Sequence, residues 1–121
     1  MAAGALVYLK GGNAEQISNG AAIALKGLLG LVCDPVAGLV EVPCVKRNVL
    51  GAVNAITSAD MVMAGIKSAV PADQVFDAMK EIGEKMHVSL RETSEGGLAA
   101  TPVGENIREN MQHWQEENDK S

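Results

Sequence analysis

The stretch Gly30-Leu-Val-Cys-Asp-Pro-Val-Ala-Gly-Leu-Val-Glu-Val-Pro-Cys-Val-Lys-Arg-Asn48 contains both cysteines of the chain, Cys33 and Cys44, and two of its four prolines. The Asp34-Pro35 pair within it favours extended backbone and interrupts any helix. Apolar residues recur at helical spacing on both sides, so the stretch is predicted to be an irregular loop between two helices. Its many valines and leucines indicate a loop that packs against the protein rather than a solvated one.

The composition favours helices. Of the 121 residues, 47% are hydrophobic but only 2% are aromatic, and small aliphatic side chains suit close helix packing better than a β-sandwich. Periodicity, caps and breakers together predict five helices, at residues 1–10, 13–30, 47–69, 71–86 and 102–110. Asn13 and Gln16 have the spacing of a capping box for the second helix, and Thr101-Pro102 provides a cap and a first-position proline for the last.

The third of these helices has much apolar surface besides one predicted stripe, and a helix that is apolar almost all round is typical of a central one. The stripe consists of Val49, Val53, Ile56, Met63, Ile66 and Val70. We therefore expect an all-α bundle of about five helices around this third helix, formed by a single domain over residues 1–121. The acidic, polar tail at 110–121 is expected to fray. The apolar helices at 1–30 and 47–70 would expose much surface on their own, which favours self-association or a partner chain.

Several classes of protein are disfavoured. A formal charge of −5 provides no basic face for nucleic acid, and no apolar run reaches the roughly 20 residues of a membrane span. The first nine residues lack the basic start and cleavage site of a signal peptide. Two cysteines without such a signal favour a reducing compartment, and hence the cytoplasm.

The start of the chain is unusual because its first helix is apolar from Met1 onward, with no cap or polar lead-in. We interpret Met1 as an internal methionine of a longer chain.

Ten residues separate Cys33 from Cys44, unlike the two-residue spacing of a zinc knuckle or redox pair. Neither His87 nor His113 is near in sequence. Spacing alone leaves two alternatives open, a pair of buried structural cysteines or a metal site, and a disulfide is disfavoured in a reducing compartment.

The residues around the cysteines add a resemblance. Residues 30–48 are similar to the cluster-binding segment of iron–sulfur-dependent L-serine dehydratases. Motifs further along occur in that family's order, over about residues 1–104 in all: Asn54-Ala-Ile, Ser58-Ala-Asp-Met, Pro71-Ala-Asp and Leu90-Arg-Glu-Thr-Ser-Glu-Gly-Gly-Leu-Ala-Ala-Thr-Pro102.

The resemblance implies a lyase that converts L-serine to pyruvate and ammonia. Such enzymes hold a [4Fe–4S] cluster by three cysteines, and the iron left open acts as a Lewis acid on the substrate hydroxyl. Cys33 and Cys44 match two of the three ligands. The third lies upstream in the family, before the point that matches Met1.

The resemblance therefore implies the C-terminal part of an α chain, whose partners are L-serine, the rest of the α domain and a β chain or β domain. No cysteine follows Cys44, which favours the two-chain form or a truncated one. We expect the isolated chain to hold no intact cluster and to be inactive, because two thiolates leave the cube labile. A homo-oligomer of the fragment is also possible.

Other residues have both functional and structural interpretations. Arg47 and Asn48 open a helix whose positive end suits an anionic cluster or a substrate carboxylate, or they are simply a cap and an ion pair. Gly96 and Gly97 allow a ligand to approach the backbone, or they form a turn. Asp34 accepts hydrogen bonds within its loop, or it forms an Asx-turn before Pro35. His87 is interpreted as a surface residue at a helix end. No residue of the chain is identified as the general base.

Two rival functions are weighed against the enzyme. One is a small helical interaction module with buried structural cysteines, and the other is a zinc protein.

Overall fold

The computed structural model describes residues 1–119, which form five α-helices and no β-strand. The helices are α1 (Ala2–Leu9), α2 (Ala14–Lys26), α3 (Cys44–Met63), α4 (Ala72–Lys85) and α5 (Pro102–Asn118). Short 3₁₀ turns lie at Val36–Gly38, Val88–Leu90 and Gly97–Ala100. The expected all-α fold with about five helices is confirmed. No helix among these residues has the length and apolar character to cross a membrane.

The chain divides into two compact units. The first comprises Met1–Leu31 with Asn48–Lys85, and the second comprises Val32–Arg47 with the described part of Met86–Ser121. Both cysteines belong to the second, which we call the thiol unit. The assignment of one domain to residues 1–121 stays a prediction, and each unit is described by itself.

The first unit has a small aliphatic core. Val7 and Ala59 are fully buried, and Val62 is 2% exposed. Leu6, Ile17 and Ile23 pack against these three residues. The Asn54 side chain donates to the Ala24 carbonyl at 2.9 Å, which ties α3 to α2.

The start of α2 agrees with its sequence signal. Asn13 accepts from the Gln16 backbone at 3.0 Å, and the Gln16 side chain accepts from the Asn13 backbone at 2.9 Å. This reciprocal capping box satisfies two N–H groups that a helix start leaves without partners.

Helix α3 begins and ends earlier than predicted. It starts at Cys44 rather than near Arg47, because the Pro43 carbonyl already accepts from the Arg47 N–H at 3.1 Å. It ends at Met63 rather than near residue 69, because Gly65 adopts a φ of 91°. The Ile66 and Gly65 N–H groups then bond to the Met61 and Val62 carbonyls, which is the Schellman arrangement.

The apolar surface of α3 is only partly covered. Four of its residues are buried: Ala55, Ser58, Ala59 and Val62. The predicted apolar stripe along the third helix is exposed instead, at Val49, Val53, Ile56, Met63, Ile66 and Val70. Three of the four buried residues are alanine or serine, whose small side chains allow close packing against a neighbouring helix.

In the thiol unit, α5 starts as its sequence signal predicts. Thr101 accepts from the Gly104 N–H at 3.2 Å, and Pro102 occupies the first helical position. The helix then continues to Asn118, although fraying was expected from residue 110. Side-chain bonds one turn apart support this polar stretch, such as Asn118 to the Trp114 carbonyl at 2.7 Å. Residues 120–121 lie outside the described part.

Candidate functional site

Cys33 lies in an extended segment that is fixed by backbone hydrogen bonds. Its N–H donates to the Leu90 carbonyl at 2.9 Å, and its carbonyl accepts from the Glu92 N–H at 2.7 Å. The two bonds form an isolated parallel bridge between Cys33 and Arg91. The first cysteine is therefore held by a segment almost 60 positions later in the chain.

Cys44 is the first residue of α3, so the position of the second thiol is set by a helix start. Both cysteines are free and half-buried. They lie near enough for their charges to interact. Burial is the main cause that raises the pKa of the Cys33 thiol, the charges of Glu92, Cys44 and Asp34 raise it further, and Arg47 opposes them. Both thiols thus belong to the thiol unit although they lie eleven positions apart.

Asp34 is the most buried charged residue of the described chain, with 2% of its surface exposed. One carboxylate oxygen accepts from Arg47 Nη1 at 2.5 Å, and the other accepts from the Leu98 N–H at 2.7 Å. The same Arg47 nitrogen also donates to the Val32 carbonyl at 3.0 Å. Three segments of the thiol unit therefore meet at one carboxylate.

Burial would raise the pKa of the Asp34 carboxyl group, but the Leu98 hydrogen bond and the Arg47 guanidinium outweigh it and lower the pKa overall. Asp34 is therefore ionised near neutral pH, and its negative charge is matched by Arg47.

Gly97 adopts a φ of 60° directly beneath this carboxylate. A Cβ at this position would lie 2.8 Å from the Asp34 Cβ and still closer to Oδ2. A side chain here would therefore displace the carboxylate from the Leu98 N–H.

Three non-glycine residues have left-handed backbone in the described chain, and all lie in the thiol unit: Ala37, Glu92 and Ser94. Their φ values run from 54° to 66°, a region that costs an L-residue of order 1 kcal/mol or more. Two of them, Ala37 and Ser94, line one cavity.

This cavity, of about 360 Å³, has a polar wall. Arg108, Gln112 and Gln115 line it from α5, and Thr93, Ser94 and Glu95 line it from the loop that follows Glu92. One guanidinium and one carboxylate therefore face a cavity whose remaining groups are mostly hydroxyls and amides. These are groups that can pair with a small zwitterion.

The residues singled out from sequence fall into two groups. Arg47 and Gly97 lie against Asp34, Cys33 precedes it in the chain, and Cys44 begins the helix that carries Arg47. Gly96 instead approaches Ser89, with 2.9 Å between its would-be Cβ and the Ser89 carbonyl. Asn48 is exposed on α3 and has no hydrogen bond to these residues in the described structure.

His87 caps the 3₁₀ turn Val88–Leu90 and is exposed, which agrees with its interpretation as a surface residue. Its Nδ1 accepts from the Ser89 N–H at 3.2 Å and lies 2.8 Å from the Ser89 hydroxyl. Within residues 1–119, no three His, Cys, Asp or Glu side chains form a group able to hold a metal ion.

Sequence reasoning missed Leu98 and the backbone of residues 90–92 as partners of the cysteine loop. The signal was present, because the segment Leu90–Pro102 was one of the motifs that carried the resemblance. What the sequence lacked was the pairing of that segment with Cys33 and Asp34.

Comparison with known proteins shows the family of the chain. A family model described as "Serine dehydratase alpha chain" matches residues 1–99. The chain belongs to this family. It is 59% identical over 111 residues to a probable L-serine dehydratase alpha chain of Bacillus subtilis, which covers 92% of this chain and 37% of that protein.

Two more relatives agree. A probable L-serine dehydratase alpha chain of Latilactobacillus sakei is 64% identical over 86% of this chain and 50% of its own length. The L-serine dehydratase alpha chain of Peptoniphilus asaccharolyticus is 52% identical over 89% of this chain and 37% of its own. The chain thus spans half or less of these family members.

Gly97→Ala tests the close approach at Asp34. We expect it to lower the free energy of unfolding by about 3 kcal/mol, since the new methyl group meets the carboxylate and also suffers the left-handed backbone. Urea unfolding followed by circular dichroism measures the change.

Two glycines provide matched controls. Gly65 has a φ of 91°, but a Cβ at this position would meet nothing within 4 Å. Gly65→Ala should therefore lower the free energy of unfolding by only about 1 kcal/mol. Gly51→Ala lies in open space within α3 and should be neutral or slightly stabilising. Equal losses for Gly97→Ala and Gly65→Ala would show that the carboxylate does not constrain this position.

Proposed function

We propose that this chain is a part of an L-serine dehydratase that converts L-serine to pyruvate and ammonia in the cytoplasm. Family membership supports the reaction class. The observation that carries the site is the pair of free, half-buried thiols, each anchored in the same unit of the protein. Half-buried thiols remain accessible to a ligand, whereas the rival interaction module expects structural cysteines that are fully buried.

We also propose that Cys33 and Cys44 provide two of the cysteine ligands of a [4Fe–4S] cluster. The donor set fits, because thiolates are the ligands that such clusters use, and the thiol unit carries two free, half-buried cysteines. A further cysteine from outside these 121 residues is then required, since the chain has two. When bound, a cluster with one open iron supplies Lewis-acid assistance to the departure of the substrate hydroxyl.

The chain's own residues prepare this site electrostatically. Asp34 is a buried anion next to Cys33, and Arg47 lies one helical turn after Cys44. Their ion pair cancels a negative charge that would otherwise oppose thiolate formation. This pairing engages Arg47 and leaves the recognition of a substrate carboxylate to another cation.

Arg108 is our choice for that cation. It faces the polar cavity together with Glu95, so the two side chains offer a guanidinium to a carboxylate and a carboxylate to an ammonium group. An α-amino acid carries both groups. Ala37 on the cavity wall lies four positions after Cys33, and Thr93 directly follows the Glu92 that bonds to Cys33. L-serine held here lies beside the thiol loop.

Apolar surface supports the proposed partners. Leu50 is 67% exposed and Val49 is 60% exposed on α3, in the first unit. An apolar groove on that unit is also lined by Ala2, Ile17 and Leu25. Surfaces of this kind favour burial against another polypeptide. We assign them to the rest of the α domain and the β chain, with a second copy of this chain as the alternative.

Cys33→Ser and Cys44→Ser should each abolish the cluster and the activity of the complete α chain assembled with its β chain. Each substitution removes one thiolate and leaves an iron without its protein ligand. Anaerobic purification followed by visible absorption and by iron and sulfide analysis measures the cluster. Glu15→Gln, which breaks an exposed ion pair with Lys67, should keep both cluster and activity. Retention of the cluster in both serine variants would contradict the proposal.

The isolated 121-residue chain should form no stable cluster and show no dehydratase activity, because it supplies two thiolates only. Anaerobic reconstitution with iron and sulfide tests this expectation. Four irons per chain in an active species would refute it. Stoichiometric zinc in the purified chain, without sensitivity to oxygen, would favour the zinc protein instead.

Arg108→Gln should raise the KM for L-serine by about tenfold or more and change kcat less, because a charge-assisted hydrogen bond to the carboxylate is worth about 1.5–3 kcal/mol. Steady-state kinetics on the complete enzyme, with its cluster absorption unchanged, measures the effect. Lys85→Gln removes a cation that pairs with Glu81 on α4 and should leave KM unaltered. An unchanged KM in Arg108→Gln would move the substrate away from this cavity.

A further inference from the structure

We infer that Asp34 and Arg47 are positioning residues that hold the two cysteines together as a preformed dithiol. Asp34 is adjacent to Cys33 in sequence, and Arg47 lies three residues after Cys44 on the first turns of α3. Their ion pair, with 2.5 Å between Arg47 Nη1 and Asp34 Oδ1, therefore links the segment of one thiol to the segment of the other.

The link is strengthened because each partner has a second attachment. Asp34 also accepts from the Leu98 N–H at 2.7 Å, and Arg47 Nη1 also donates to the Val32 carbonyl at 3.0 Å. The Val32 bond ties Arg47 to the residue that precedes Cys33. The start of α3 is thus fastened on both sides of the first cysteine.

Burial makes the link costly to break. The Asp34 side chain is 3% exposed and that of Arg47 is 32% exposed, so the carboxylate cannot turn to water if Arg47 is removed. A buried ionised group without its partner is strongly unfavourable, and the loop must rearrange to relieve it. Such rearrangement moves Cys33, which directly precedes Asp34 in the chain.

Three other ion pairs lie elsewhere. Lys10–Asp60, Lys67–Glu15 and Lys85–Glu81 are exposed pairs in the first unit. None of them joins the two cysteine segments, so these pairs serve as controls.

This inference deepens the proposed cluster site and assumes that Cys33 and Cys44 act together as ligands. It is tested without a cluster, using phenylarsine oxide as the probe. One arsenic bonds to two thiols, and the two thiol protons leave with the arsenical oxygen as water. Tight binding therefore requires both sulfurs to be held within reach of one atom.

The experiment compares arsenical affinity among variants of the reduced chain, with far-UV circular dichroism as the check of helix content. Wild type should bind one arsenical per chain. Asp34→Asn keeps an acceptor for Leu98 but loses its charge, and Arg47→Gln loses the guanidinium. Each should weaken binding by about tenfold or more, since the effective concentration of the second thiol falls.

Three further measurements separate positioning from general damage. Arg47→Lys should recover most of the affinity, because its ammonium can still pair with Asp34. Alkylation by iodoacetamide, which needs one thiol at a time, should change far less than arsenical affinity. Glu15→Gln should match wild type.

Wild-type arsenical affinity in either Asp34→Asn or Arg47→Gln would overturn the inference. So would a folded Arg47→Lys variant as weak as Arg47→Gln. If Asp34→Asn does not fold, the two Arg47 variants decide the question by themselves. Failure here leaves the dehydratase proposal intact, whereas absence of cluster and activity in the complete enzyme would remove that proposal and leave the dithiol result unaffected.

Discussion

The buried carboxylate of Asp34 is the constraint on which the thiol unit depends. An ionised group with 2% exposure must have its charge and lone pairs satisfied by the protein, because water cannot reach it. Arg47 and the Leu98 N–H meet that demand from two distant parts of the chain. The bond from Leu98 then determines how close the Gly97 backbone comes to the carboxylate.

The hydrogen bonds to the Asp34 carboxylate also constrain the segment at residues 90–98. Gly97 needs a left-handed backbone and no side chain so that Leu98 can donate to the carboxylate. Leu90 and Glu92 bond to Cys33 on the other side of the same segment. The left-handed backbone at Ala37, Glu92 and Ser94 also lies in the loops of the thiol unit. Such strained backbone persists only where the surrounding structure holds it in place.

Local signals in the sequence predicted the elements of the fold well. The capping box at Asn13 and the Thr101-Pro102 start depend on residues within one turn, and both are as expected. The predicted end of α3 was wrong because Gly65 lies within an apolar run, where a glycine that ends a helix looks the same in sequence as one that a helix tolerates. The predicted start of α3 was wrong because the Pro43 carbonyl accepts the first hydrogen bond of the helix. The presence of a proline in the sequence does not reveal that bond.

The site was less predictable, because its decisive contacts are long-range. Asp34-Pro35 predicts a local turn, and nothing nearby in sequence says that the carboxylate meets Leu98, 64 positions later. Glycine at 97 could equally indicate a ligand or a turn, and the structure places the Asp34 carboxylate there. The resemblance pointed to the correct segments, but only packing shows how they are joined.

The same contacts bear on how a metal cofactor could be acquired. In small zinc domains the metal itself organises the ligands, and the apo chain is unfolded. Here the segments around Cys33 and Cys44 are held by hydrogen bonds and an ion pair within their own unit, none of which uses a thiol. For the proposed cluster, the cost of ordering the two cysteine segments is then met by folding rather than by metal binding. A cofactor that meets thiols already in place binds more tightly than one that must first gather them.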